Sequence, residues 1–289
     1  MLPLRLSKGH GLGNDYLVAD AATLPFPLTP ARIRAICDRH CGVGSDGILL
    51  ADVAASPLVL RIFNPDGTEA EKSGNGLRIF AAWLHGRGLV AGEPFQVRLP
   101  KDEVTLQVMG ALEGGALDIV ADMGPADFTG EAAGFAPEPG VALGFRLRVG
   151  DEVLAINPLS LGNPHCVVFL DHLRREDFLR RGPLLATHPT FPAGTNVQFA
   201  RSIAPDRLEA WIWERGAGET LASGSSACAV AAAAVRLGMA RPGEIRIEMR
   251  GGTALVRVTE DYQLRLRAPA QIVFECELTP GLSRRLAEV

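Results

Sequence analysis

Residues 61–76, RIFNPDGTEAEKSGNG, read against residues 211–226, WIWERGAGETLASGSS, at a constant shift of 150. In that register Asn64 falls on Glu214, Glu69 on Glu219, Ser73 on Ser223 and Gly74 on Gly224. Each stretch passes from an apolar strand pattern through a polar, glycine-bearing turn into Ser-Gly and then an apolar run. Other landmarks follow at nearly the same spacing. GLGNDYLVAD places Asn14 before an apolar strand, and SLGNPHCVVF places Asn163 before another, 149 residues later. SDGILLA from Ser45 matches TNVQFA from Thr195, and GEPFQVRL from Gly92 matches GEIRIEMR from Gly243. Ordered landmarks at one shift are the mark of an internal duplication.

The chain is therefore expected to be α/β (α+β), with two pseudo-symmetric domains. Each has a strand after the Gly-Asn motif, a surface helix, further strands, a Ser-Gly turn, a buried helix and strands again. Thr29-Pro30 offers a cap and a first-turn proline to the surface helix ARIRAICDRH. GLRIFAAWL and ACAVAAAAVRLG are apolar on most faces, which marks helices enclosed by sheet. Each half is read as a curved, mostly antiparallel sheet around one central helix. The Gly-rich stretch from Ala111 to Gly124 is the expected joint. The halves are placed at 1–118 with about 270–289, and at 119–269.

The 289 residues carry a net charge of −4 with no long basic run, so no nucleic-acid or membrane surface is expected. The N-terminus has no apolar leader pattern, and the five cysteines lack framework spacing. A reduced cytoplasmic setting is the simpler reading. No metal, pyridoxal or nucleotide motif is visible, and GHGLGND is not a dinucleotide fingerprint because no Rossmann unit follows it.

The Ser-Gly turns carry the chemistry. The first N–H groups of a helix have no partner inside it, and the helix dipole adds positive potential. Gly74 and Gly224 let a ligand come close to the backbone. Two such starts, facing each other across a cleft that closes on the ligand, suit a small carboxylate. Moving a proton between two faces of a carbon needs one acid/base group per face, with donors on the carboxylate to hold the electron pair. Ser73 and Ser223 are also simple N-cap candidates, and both roles stay open.

At these residues the chain resembles the diaminopimelate epimerase family. The resemblance rests on KGHGLGNDYLVAD, RHCGVGSDGILL, RIFNPDGTEAEKSGNGLR, LGNPHCVVF, GTNVQF and WERGAGETLASGSSACA, and covers almost the whole chain. It implies a cofactor-free, pyridoxal-independent epimerase of two pseudo-symmetric domains, a homodimer acting on a small amino-acid substrate in lysine and peptidoglycan-precursor synthesis. It also implies that the last strand, QIVFECEL, returns to the first domain. Carried over by motif, Asn14, Asn64, Asn163, Asn196, Glu214 and Arg215 would hold the substrate. Asn64, Asn163, Asn196 and Arg215 would grip the distal amino-acid end, where an Arg–carboxylate contact is apt. Gly74-Asn75 and Gly224-Ser225 would bind the reacting carboxylate, and His165 and Glu214 would lie beside the reacting centre.

One departure stands out. The family's two bases are cysteines, and this chain has Ser73 and Ser223 there. A thiol titrates near 8.5, whereas an aliphatic hydroxyl needs a neighbouring base. Three explanations are open. The serines act with help from Lys72, His165 or Glu214. They are an engineered pair that keeps the caps and removes the bases. Or the protein performs another proton shift, such as isomerising a small unsaturated carboxylic acid, or only binds. The function expected is interconversion of L,L- and meso-diaminopimelate.

Overall fold

The computed structural model describes residues 4–137 and 140–288. It divides into two compact units, Met1–Ala121 with Ala268–Val289, and Asp122–Arg267.

The first unit holds β1 (Arg5–Gly11), β2 (Asn14–Asp20), α1 (Pro30–Cys37), β3 (Ile48–Asp52), β4 (Leu58–Phe63), β5 (Glu69–Ala70), α2 (Gly74–Gly86), β6 (Phe95–Arg98) and β7 (Glu103–Ala111), and most of β8 (Leu117–Pro125). Hydrogen-bonded neighbours run β1–β2–β3–β4–β6–β7–β8; β2–β3 and β4–β6 are parallel and the rest antiparallel. Helix α2 lies against β1, β2, β3 and β7, so a sheet curls around it. Its residues Gly74–Leu84 are all buried. On the other face, Ile33 and Ile36 of α1 pack with Leu17, Ala19 and Ile48. Strand β2 is thus covered on both faces, which explains its unbroken apolar run YLVA. Thr29 caps α1 as expected, its hydroxyl accepting from Arg32 N–H at 3.2 Å.

The second unit holds β9 (Phe145–Val149), β10 (Glu152–Ser160), β11 (Pro164–Phe169), α3 (Arg175–Ala186), β12 (Asn196–Ala204), β13 (Arg207–Glu214), β14 (Gly218–Thr220), α4 (Gly224–Arg236), β15 (Gly243–Met249), β16 (Gly252–Val258) and the start of β17 (Gln263–Glu277). From β10 to β17 its pairings repeat those from β1 to β8 in order and sense. Helix α4 lies against β10, β11, β12, β13, β15 and β16. It is buried from Gly224 to Val235, and its alanines let the surrounding strands come near. The mixed α/β class and the enclosed central helices read from the sequence are both present.

Two features had no sequence expectation. Strand β9 precedes the repeat and pairs with β10. The chain closes with α5 (Pro280–Ala287), capped by Thr279. The second part of β17 pairs with β1, Ile272 opposite Gly9 and Glu277 opposite Arg5. No helix among the described residues is long and apolar enough to cross a membrane.

Candidate active site

In the first unit the site is built around the start of α2. Ser73 is the N-cap in extended backbone, and its Oγ accepts from Gly76 N–H at 3.1 Å. The Oη of Tyr16 lies 3.3 Å from the same Oγ. Asn75 is buried, and its amide is held at both ends. Its Nδ2 donates to Asn14 Oδ1 at 2.9 Å, and its Oδ1 accepts from Arg78 Nη2 at 2.6 Å. Asn14 Nδ2 donates in turn to Asp46 Oδ2 at 2.8 Å. Arg39 clamps Asp46 and Asp15 at 2.7 and 2.6 Å, and Lys8 meets Asp15 at 2.8 Å. Burial would raise the Asp15 carboxyl, but hydrogen bonds from Arg39 and Lys8 outweigh it and hold it low. Burial and the nearby Asp15 charge push Asp46 upward. The first turn of α2 has no acidic residue, so its dipole is not offset there.

The backbone closeness is sterically required. A Cβ on Gly11 would lie 2.9 Å from Arg78 Nη2, and one on Gly9 would lie 2.7 Å from Ile79 Cγ2. Only glycines let β1 run this near to α2.

In the second unit Ser223 is the N-cap of α4, 5% exposed, but its side chain makes no capping bond. The cap reading therefore fits Ser73 and not Ser223. His165 is fully buried. Its Nε2 is 3.0 Å from Asn163 Oδ1, and Gln198 Nε2 donates to its Nδ1 at 3.0 Å. Gln198 also donates to Ser226 Oγ at 2.9 Å. Burial first, and then the Arg215 charge, push the imidazole pKa down to about 3. The ring is neutral at pH 7, with Nε2–H directed at Asn163. Asn196 bonds Pro164 O through Nδ2 and receives Arg215 N–H on Oδ1, both at 3.0 Å. Arg215 is exposed and spends one N–H on Ala193 O at 3.3 Å. Glu214 ends β13, half-buried, beside Arg215. The first turn of α4 also lacks acidic residues.

The structure thus groups Asn14, Ser73, Gly74 and Asn75 in one unit. It groups Asn163, His165, Asn196 and Arg215 in the other, where Ser223, Gly224 and Ser225 start α4. Asn64 lies in the β4–β5 turn of the first unit, where Nδ2 donates to Thr68 Oγ1 at 2.9 Å. Sequence reading missed Tyr16, Asp46, Arg78 and Gln198. Lys72 Nζ is in an ion pair with Asp102 at 2.9 Å. Glu69 and Glu219 serve ion pairs, with Arg61 and with Arg175 and Arg250. Cys166 and Cys228 are fully buried, and burial raises the Cys166 thiol. Among the described residues no group of three or more His, Cys, Asp or Glu could hold a metal.

A family model described as diaminopimelate epimerase matches residues 6–129 and 159–272. The chain belongs to the diaminopimelate epimerase family. The matched segments include the start of each central helix. A relative from Nostoc sp., named diaminopimelate epimerase 2, is 39% identical over 91% of each chain. A diaminopimelate epimerase from Pelotomaculum thermopropionicum is 36% identical over 95% of this chain and 98% of its own. Among solved structures, a probable proline racemase from Agrobacterium radiobacter has a TM-score of 0.72 at 16% identity, covering 96% of this chain and 93% of its own. A predicted epimerase from Pseudomonas aeruginosa has a TM-score of 0.69 at 20% identity, covering 95% and 99%. These structures share the fold. The relatives in the diaminopimelate epimerase family make the protein an isomerase, an epimerase.

Proposed function

We propose that this epimerase interconverts L,L- and meso-diaminopimelate, without pyridoxal or metal, as a cytoplasmic homodimer serving lysine synthesis. Ser73 and Ser223 carry protons for the two faces of the α-carbon. The observation that carries this reading is the repeated helix start: a serine N-cap, a glycine, and a first turn free of acidic residues in each unit. Such a turn favours a bound carboxylate. In the proposal the N–H groups of Gly74, Asn75, Gly224 and Ser225 take the reacting carboxylate and spread the charge left when the α-proton departs.

The distal amino acid falls to Asn64, Asn163, Asn196 and Arg215. The exposed guanidinium of Arg215, anchored through its backbone N–H to Asn196, supports a two-pronged carboxylate contact. His165 enters as a positioning group, because its neutral imidazole holds Asn163 through one nitrogen, while the other is occupied by Gln198 and is too weakly basic to take a proton at pH 7. Glu214 stays beside the reacting centre, and Asn14 sets Asn75. Hydroxyls in place of thiols make turnover slow, because a weakly acidic group gives up its proton reluctantly.

The test is proton NMR of L,L-diaminopimelate with the protein in D₂O, following loss of the α-proton signal. A Ser73→Cys, Ser223→Cys variant runs in parallel. Slow exchange by the serine protein and faster exchange by the variant are expected. No exchange in either would sink the proposal.

A further inference from the structure

Tyr16 is 7% exposed in β2, with its Oη 3.3 Å from Ser73 Oγ. The approach depends on Gly47. Strand β3 follows this residue directly, and Leu17 pairs with Ile48. A Cβ at position 47 would lie 2.7 Å from Tyr16 Cε1 and 2.2 Å from Phe63 O. The phenol ring therefore occupies space that any other residue at 47 would claim. The second unit differs at both positions. In the repeat register Tyr16 falls on His165 and Gly47 on Val197. Val197 is fully buried, and the ring nitrogens of His165 bond to Asn163 and Gln198 instead. The hydroxyl pair is a feature of the first unit.

We infer that Tyr16 is a positioning residue that stores and returns the proton carried by Ser73, an inference that rests on the epimerase reading above. A phenol titrates near 10, far below an aliphatic hydroxyl, and so is the stronger proton partner for catalysis near neutrality. With the phenol ionised, the α C–H bond breaks and its proton goes to Ser73 Oγ. The Ser73 hydroxyl proton passes to Tyr16 Oη, and the bonding pair stays at the α-carbon beside the carboxylate. In the opposite sense neutral Tyr16 gives its proton to Ser73 as Ser73 protonates the carbanion. Gly76 N–H, already pointing at Ser73 Oγ, steadies the charge that passes through that oxygen. No further reactant is required.

Two measurements test this. The first needs no turnover. The chain has two tyrosines, Tyr16 and Tyr262. With ¹³Cζ-labelled tyrosine, Ser73→Ala is expected to move the Tyr16 resonance and leave Tyr262 in place. An unmoved Tyr16 signal would overturn the pairing. The second is α-proton exchange of diaminopimelate in D₂O. Tyr16→Phe is expected to slow exchange about 100-fold when residue 73 is serine. In the Ser73→Cys protein, where a thiol carries the proton, that loss should shrink to a few-fold. Equal losses in both backgrounds would make Tyr16 mere packing and overturn the inference while leaving the epimerase reading intact. Exchange only after serine is replaced by cysteine would also overturn it. No exchange in any protein would instead bring down the epimerase reading, and the inference with it.

Discussion

Asn75 at the start of α2 donates through Nδ2 to Oδ1 of Asn14, 61 positions earlier, at 2.9 Å. That bond is one step of a directed chain. Arg39 donates to Asp46, Asp46 accepts from Asn14, Asn14 accepts from Asn75, and Asn75 accepts from Arg78. Every amide in it has its oxygen and nitrogen assigned by a charged neighbour at one end. The side chains of Asn14 and Asn75 are thereby fixed at the first turn of α2, the turn to which the proposal assigns the carboxylate.

Removing the carboxylate in that chain should loosen the turn. Asp46→Ala leaves Asn14 Nδ2, Asp15 N–H and Arg39 short of an acceptor. We expect a loss of about 2–3 kcal/mol in urea unfolding and a KM for diaminopimelate raised about tenfold. An unchanged KM would detach this network from the site.

The two serines should differ in stability terms. Ser73→Ala removes a cap bond and should cost about 1 kcal/mol. Ser223→Ala removes none and should fall within about 0.5 kcal/mol of the parent. Urea midpoints for the two variants decide this, and equal losses would contradict it.

Arg215→Lys keeps the charge and loses the planar fork. The KM for diaminopimelate should rise about tenfold, with kcat altered less than about threefold. A fall confined to kcat would remove Arg215 from the distal end.

His165 should make stability depend on pH. Its folded pKa of about 3 lies below an unfolded value near 6.5, so the unfolded chain binds the extra proton between them. The contribution is present above pH 6.5 and is lost as pH falls toward 3. By that linkage about 2 kcal/mol disappears between pH 7 and pH 5. Urea midpoints at both values should show it, and His165→Gln should flatten the difference.

Much of this was legible in one chain. The duplication was visible because turns, glycines and Ser-Gly starts are local and keep their spacing when apolar identities drift. The enclosed helices were visible because α2 and α4 are apolar on nearly every face. Tyr16 and Asp46 were hidden because their partners lie 57 and 32 positions away, and a tyrosine inside an apolar strand reads as core. The missing cap bond at Ser223 was hidden because Ser-Gly is the same dipeptide in both units and only side-chain orientation differs. Helix α5 carries a Thr-Pro start like that of α1 and was readable in principle.

Strand β17 bears on the order of events during synthesis. The unit from Asp122 to Arg267 is one contiguous stretch, so all of it is synthesised before Ile272 is added. In the other unit β1 pairs on one edge with β2 and on the other with residues 271–277, more than 260 positions downstream. That edge of β1 must wait, without its partner strand, until those residues have been made. Domains generally fold as units, the N-terminal one first. Here the second unit is complete in sequence while β1 of the first still lacks the strand that closes its edge.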